Sequence, residues 1–465
     1  MSRWRGGVRP PTWAAVRAIA VSVLVAGSLV ATMAPTAGAV PSGAAAPVQV
    51  PDAPTDGWTV ESPESHGMDP AALEGARDFA FADGMHTQGV VVVRDGAIVA
   101  EWYADGEGPS SWAASWSVAK SFTSALIGIA IAEGKIPSVD ESMVTYFPEW
   151  AGTEREAITL RHVLRMESGL DWDEDYDPAA IGESEIIRMV LSEPDQLAFA
   201  ASRPAEVDPG TRWNYSSGDT MLLSRVLEQA TGMPADDYAR MKLFDPIGME
   251  QVEWWRDARE HTLTYCCLDT TTRDFARFGL LYLRGGQWGD QQVVPSAWVD
   301  ESLTGSEASD GGYGYQWWLS EIEGSGPLFA ARGHDGQYIY VVPELDLVVV
   351  RNGSYVKSAC EAIADPNLFG RYPSDGLVPG QGTIAPERWS DVDFLTPIIE
   401  SITDAPGEPG GGAAVPEPID LSQVDERAPC PAAPAVPEAP GPPSDDGRPQ
   451  ATPDAPVVNT PAYTG

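Results

Sequence analysis

From Phe122 to Ile131 the chain places Phe122, Ala125, Leu126, Ile127, Ile129 and Ile131 around nearly every side of a helix. A helix that is apolar all round has no face to offer water, so it must run through the core of a sizeable domain. Glu133-Gly134-Lys135 then supplies a glycine stop. At the mouth of this helix stand Ser117 and Lys120, three residues apart and so on one face. A serine there meets unpaired backbone N–H groups and the positive end of the helix dipole, which favour an alkoxide or a tetrahedral intermediate. A lysine buried beside it gives up its proton more readily. The pair has the make-up of a nucleophile with its own base.

The spacing alone is weak evidence. Of only four lysines, two follow a serine by three residues, the second pair being Ser354 and Lys357. That pair comes after a strand-like run and an Asn352-Gly353 turn, with no buried helix opening at it, and reads as surface. Two further stretches strengthen the first pair. Pro209-Gly210-Thr211-Arg212-Trp213-Asn214-Tyr215-Ser216-Ser217 lies about a hundred residues on, and Gly333-His334-Asp335-Gly336-Gln337 follows much later.

With S-x-x-K, Y-S-S and H-x-G in this order, the chain resembles the serine β-lactamase and penicillin-binding-protein superfamily. Ile158–Leu164 with Ser168-Gly169-Leu170, and Thr272–Leu283, agree with it, and the likeness runs from about Ser62 to Ile402. Within the superfamily it is nearest to class C-like carboxylesterases and 6-aminohexanoate-dimer hydrolases, through Glu167–Tyr176 and Gly336-Gln337. The resemblance implies an acyl-enzyme on Ser117, with Lys120 as base and Tyr215 as proton relay. The backbone N–H groups of Ser117 and Gln337 would form the oxyanion hole, and Gly336 would let substrate approach the strand. It implies neither metal nor cofactor. Two departures bear on substrate: Ser217 stands where β-lactamases have Asn, and His334 where they have Lys. A hydroxyl and a neutral imidazole grip a β-lactam's side chain and carboxylate less well, which puts efficient β-lactam hydrolysis in doubt.

Several residues have a second reading. Tyr215 could be a core tyrosine. Ser216 or Ser217 could cap a helix over Thr220–Ala230 rather than touch substrate. His334 could be an ordinary strand histidine; a Ser/His/Asp triad with Asp335 is set aside because neighbours on a strand point to opposite faces. Trp112, Trp116, Trp213, Trp317 and Trp318 line an apolar cleft or fill the core.

Arg3, Arg5, Arg9 and Arg17, an apolar run over Ala18–Ala31 and Ala37-Gly38-Ala39 form the three parts of a secretory signal, so residues 1–39 are expected to be removed and the protein exported. The formal net charge of −39 excludes a nucleic-acid footprint, and no later run reads as a membrane span. Four cysteines in an exported chain suggest disulfides; Cys266 and Cys267 are adjacent, so at least one is expected to reach Cys360 or Cys430. No zinc-site, G-x-S-x-G, H-E-x-x-H, P-loop or dinucleotide pattern occurs.

Residues 40–60 read as an Ala/Pro/Val linker and 403–465 as a Pro-rich acidic disordered tail. Between them, over 61–402, come a helix at Pro70–Phe81 and a hairpin about Asp95-Gly96. A mostly helical stretch follows, then strands at Tyr313–Leu319, Leu328–Gly333, Gln337–Val342 and Asp346–Arg351, and a last helix near Val392–Ile402. That order predicts an α/β (α+β) fold, an antiparallel sheet flanked by helices with a helical lobe and a cleft between the two. The expected activity is hydrolysis of a small ester or amide, without an obligate protein partner. D,D-peptidase, penicillin-binding or β-lactamase activity is the alternative within the enzymes, and a non-catalytic binding protein the alternative outside them.

Overall fold

The computed structural model describes residues 57–174, 184–353, 369–371 and 389–403. In chain order its main elements begin with α1 (Pro70–Ala80), β1 (Thr87–Arg94), β2 (Ala97–Tyr103), β3 (Trp112–Ala114) and α2 (Ala119–Ala132). The helical region holds α3 (Leu160–Leu164), α4 (Glu185–Ser192), α5 (Gln196–Ala201) and α6 (Ser217–Thr231). Then come β4 (Val252–Trp254), β5 (Leu268–Thr271), α7 (Thr272–Leu283), β6 (Trp318–Ile322), β7 (Gly326–Gly333), β8 (Gln337–Val342), β9 (Leu347–Gly353) and α8 (Asp391–Glu400).

Six strands form one antiparallel sheet in the order β2-β1-β9-β8-β7-β6. Its centre is covered on both faces, which is why β1 reads Val90-Val91-Val92-Val93 without polar alternation. Val90 and Val92 pack with Leu73, Phe394 and Ile398 from α1 and α8, whereas Val91 and Val93 join the larger core with α2 and α7. Each valine so buried contributes about 1.5–3 kcal/mol relative to exposure. The mixed α/β architecture with a flanked antiparallel sheet is the one the sequence predicts. A smaller sheet, β3-β5-β4, sits beside the nucleophile turn.

Helix starts follow side-chain chemistry: Asp69, Ser216, Thr271 and Ser390 each cap a helix by accepting from a backbone N–H of its first turn. Asp95 and Gly96 both have positive φ, the two-residue turn that a β1–β2 hairpin favours. Three boundaries differ from expectation. β6 starts at Trp318 rather than Tyr313, because Gln316 turns with φ 64° and Tyr313, Tyr315 and Trp317 point into the core. His334–Gly336 is a helical turn between β7 and β8, with Asp335 at φ 58° and Gly336 at φ 76°. Residues 59–61 pair with Ile98 and Trp58 is buried, so the ordered unit begins inside the stretch read as linker. No helix among the described residues is long and apolar enough to cross a membrane.

Candidate active site

Ser117 lies on a short helical turn, Trp116–Val118, that leads into α2 rather than on α2 itself. The chain before it is clamped to β5: Ser115 donates its N–H to Leu268 O at 2.7 Å and accepts from Leu268 N at 2.9 Å through its hydroxyl. Trp116 then adopts φ 43°, a left-handed conformation that costs a bulky residue about 1–3 kcal/mol and persists only where its surroundings enforce it. Val118 donates its N–H back to Ser115 O, closing the turn.

Lys120, in the first turn of α2, is 1% exposed. Its Nζ lies 2.9 Å from Ser117 Oγ, 3.0 Å from Ser217 Oγ and 3.0 Å from Tyr265 O. Burial lowers its pKa from the ordinary lysine value to about 8, against an opposing pull from the Glu174 charge. Lys120 is therefore neutral in a much larger share of molecules at pH 7 than an ordinary lysine is. The Tyr215 ring sits 5.0 Å from Nζ, with Ser117 as the hydrogen-bond partner of its phenol. Burial, reinforced by the Glu174 charge, raises the Tyr215 pKa, so the phenol keeps its proton and can deliver one.

Of the two serines after Tyr215, the first takes the capping role. Ser216 caps α6, its hydroxyl accepting from Asp219 N at 2.9 Å, while Ser217 turns its hydroxyl to Lys120. Trp213, Tyr215, Tyr313 and Trp318 make one aromatic cluster, with Tyr215 stacked on Trp318 at 5.5 Å. Trp317 is a core residue packed on Phe278 and Tyr282, and Trp116 meets the His334 ring edge-on at 5.5 Å.

The strand side is less simple. Gly333 is pressed against the nucleophile turn: a Cβ there would lie 2.4 Å from Ser115 O and 3.1 Å from Trp116 Cβ. The Gln337 side chain is not directed at substrate; its Oε1 accepts from Asn352 Nδ2 and Gly353 N inside the sheet. Its backbone N–H, expected as the second oxyanion donor, is on the His334 carbonyl, because 334–336 is wound into a turn. Gly336 is used for its positive φ in that turn. Strand alternation also fails as an argument about His334 and Asp335, since neither is on a strand, and their side chains approach to 3.4 Å. The turn is held from beneath by Arg351, fully buried, which donates to Asp335 O and Gly336 O at 2.8 Å each and to Met85 O.

Two contributors were not singled out from the sequence. One is the Tyr265 carbonyl, a backbone atom that no motif encodes. The other is Glu174, which accepts from Ser217 N and from the Trp172 indole on Oε2 and from the Ser217 hydroxyl on Oε1. Cys266 and Cys267 are joined to each other rather than either reaching Cys360 or Cys430, since Cys267 turns the chain at φ 65°. Ser354, Lys357, Cys360 and Cys430 lie outside the described residues. Among the described residues no group of three or more His, Cys, Asp or Glu side chains is placed to hold a metal ion.

Comparison with known proteins finds relatives over the same part of the chain. The 6-aminohexanoate-dimer hydrolase of Paenarthrobacter ureafaciens is 26% identical over 297 residues, which is 58% of this chain and 73% of that protein. The solved structure named "Putative 6-aminohexanoate-dimer hydrolase from Bacillus anthracis" matches with a TM-score of 0.53 at 25% identity, over 58% of this chain and 74% of that one. Penicillin-binding protein 4* of Bacillus subtilis (strain 168) is 28% identical over 145 residues, 29% of each protein. The Beta-lactamase family model matches residues 76–363, a span that contains Ser117, Lys120, Tyr215 and the turn at His334. With more than half of its residues inside that match, this chain belongs to the Beta-lactamase family.

Proposed function

We propose that the protein is an exported serine hydrolase that cleaves small carboxylic esters or amides through an acyl-enzyme on Ser117. One observation carries the reading: a buried lysine with a pKa of about 8 lies 2.9 Å from a serine hydroxyl at the mouth of a buried helix. Neutral Lys120 takes the Ser117 proton as Oγ attacks the substrate carbonyl. The Ser117 backbone N–H, in a first helical turn, stabilises the resulting oxyanion. Tyr215 gives its proton to the departing alkoxide or amine and is reprotonated from Lys120. Water then releases the acid by the reverse relay.

The likeness to 6-aminohexanoate-dimer hydrolases supports the ester and amide class, and the aromatic cluster at Tyr215 supports an apolar group on the substrate. Ser217 and His334, in place of an amide and an ammonium, argue against β-lactams. Export rests on the pattern in residues 1–39 and is checked by the N-terminus of the protein recovered from culture medium. The activity is tested by turnover of p-nitrophenyl esters, 6-aminohexanoate oligomers and nitrocefin. Ester or amide turnover that disappears in Ser117→Ala supports it. Preferential nitrocefin turnover would move the reading to a β-lactamase, and preferential D-alanyl-D-alanine cleavage to a peptidase.

A further inference from the structure

Lys120 has two serine hydroxyls at nearly the same distance, Ser117 Oγ at 2.9 Å and Ser217 Oγ at 3.0 Å. A neutral amine has one lone pair and two N–H groups. If either hydroxyl could fill the lone pair, half of the base's capacity would be spent on a serine that attacks nothing. Something must decide between them.

The hydrogen-bond inventory around Nζ makes that decision. Tyr265 O is a carbonyl and can only accept, so it takes one N–H. Ser217 Oγ lies 2.5 Å from Glu174 Oε1 and gives its proton there. Glu174 Oε2 already accepts from two N–H groups, Ser217 N at 3.0 Å and the Trp172 indole, so the carboxylate is fixed with Oε1 facing the hydroxyl. Trp172 is itself packed on the first turn of α6, where a Cβ at Gly218 would come within 2.6 Å of its ring. With its proton committed to Glu174, Ser217 can meet Lys120 only as an acceptor and takes the second N–H. The lone pair is left pointing at Ser117.

We infer that Glu174 is a positioning residue which, by fixing the Ser217 hydroxyl proton, directs the base Lys120 to Ser117 rather than to Ser217. The inference rests on the proposed role of Ser117 and deepens it. It also carries an electrostatic consequence, because the Glu174 charge works against deprotonation of Lys120. The other titratable groups facing this site are Tyr215 and Asp219 from the start of α6, Tyr265 from the approach to β5, and Tyr313 from the segment before β6. The three tyrosines are raised by burial and stay neutral, and Asp219 is raised to about 7 by burial.

The test is a double-mutant cycle on Glu174→Gln and Ser217→Ala, read as kcat and as the pH profile of kcat/KM on a p-nitrophenyl ester. In Glu174→Gln an amide N–H can face Ser217 Oγ and release its proton towards Lys120, so kcat should fall at least about tenfold, the scale of a hydrogen bond to a charged group. Losing the negative charge should at the same time shift the acid limb to lower pH. Ser217→Ala keeps the charge and should keep the limb. In Ser217→Ala there is no proton left to fix, so adding Glu174→Gln should cost less than about threefold in kcat. A Glu174→Gln effect of the same size with and without Ser217 would overturn the inference, and so would a limb that stays in place or rises. If wild type neither turns over ester nor is labelled at Ser117, the proposed function fails before the cycle begins.

Discussion

The two sides of the candidate site, a helical wall and a strand wall, are built differently. On the helical wall, Ser117, Tyr215 and Ser217 all converge on Lys120, which is also held by the Tyr265 carbonyl. On the strand wall, His334, Gly336 and Gln337 belong to a turn whose polar groups largely bond to the protein itself, with Arg351 beneath. In the proposed mechanism the chemistry falls to the first wall, and the second supplies shape and support. Substitutions on the two walls should therefore fail in different ways: in kcat on the helical side, and in KM or stability on the strand side.

The largest effect should come from the base. Lys120→Met should lower kcat by about a thousandfold or more, within the range of general-base contributions, and Lys120→Arg should not rescue it because a guanidinium does not deprotonate. A strand-wall substitution with an equal loss in kcat would break the comparison. Next, ester kcat/KM should exceed that for nitrocefin by at least about a hundredfold, the scale of two lost strong hydrogen bonds; similar values would show that Ser217 and His334 serve β-lactams after all.

pH sharpens the same contrast. A lysine that must be neutral to act gives activity that rises with pH, so kcat/KM should climb tenfold per unit below a limb near 8 and level off above it. His334→Gln should leave that limb in place, and a limb that follows His334 would move the base to the strand wall. Arg351→Met should lower stability by roughly 2–4 kcal/mol in urea unfolding, because it leaves the carbonyls of Met85, Asp335 and Gly336 without their buried donor. The smallest effect is expected for His334→Ala, which is more than a third exposed and should change ester kcat by less than about threefold while raising KM.

The contrast also explains what could be read from the sequence. The contact between Ser117 and Lys120 was legible because it is local, three residues apart where a short turn enters a helix that only a core can hold. The β1–β2 hairpin was legible from Asp95-Gly96, and the late strands from their valine runs. The turn at 334–336 was not, because its reversal depends on Asp335 taking a left-handed φ under the pull of Arg351, a contact across the sheet. Glu174 was not singled out because its role lies in Ser217, 43 residues away, and the Tyr265 carbonyl has no side chain to announce it. The pairing of Cys266 with Cys267 was missed for a similar reason, since it depends on a backbone turn and not on spacing.

The central claim is that Ser117, activated by Lys120, forms the covalent bond to substrate. A fluorophosphonate probe followed by peptide mapping tests it most directly. The account predicts one adduct, on the peptide containing Ser117, that is lost in Ser117→Ala, kept in Ser354→Ala and formed faster as pH rises towards 8 and beyond. An adduct on Ser217, Ser354 or any other residue that survives Ser117→Ala would contradict it.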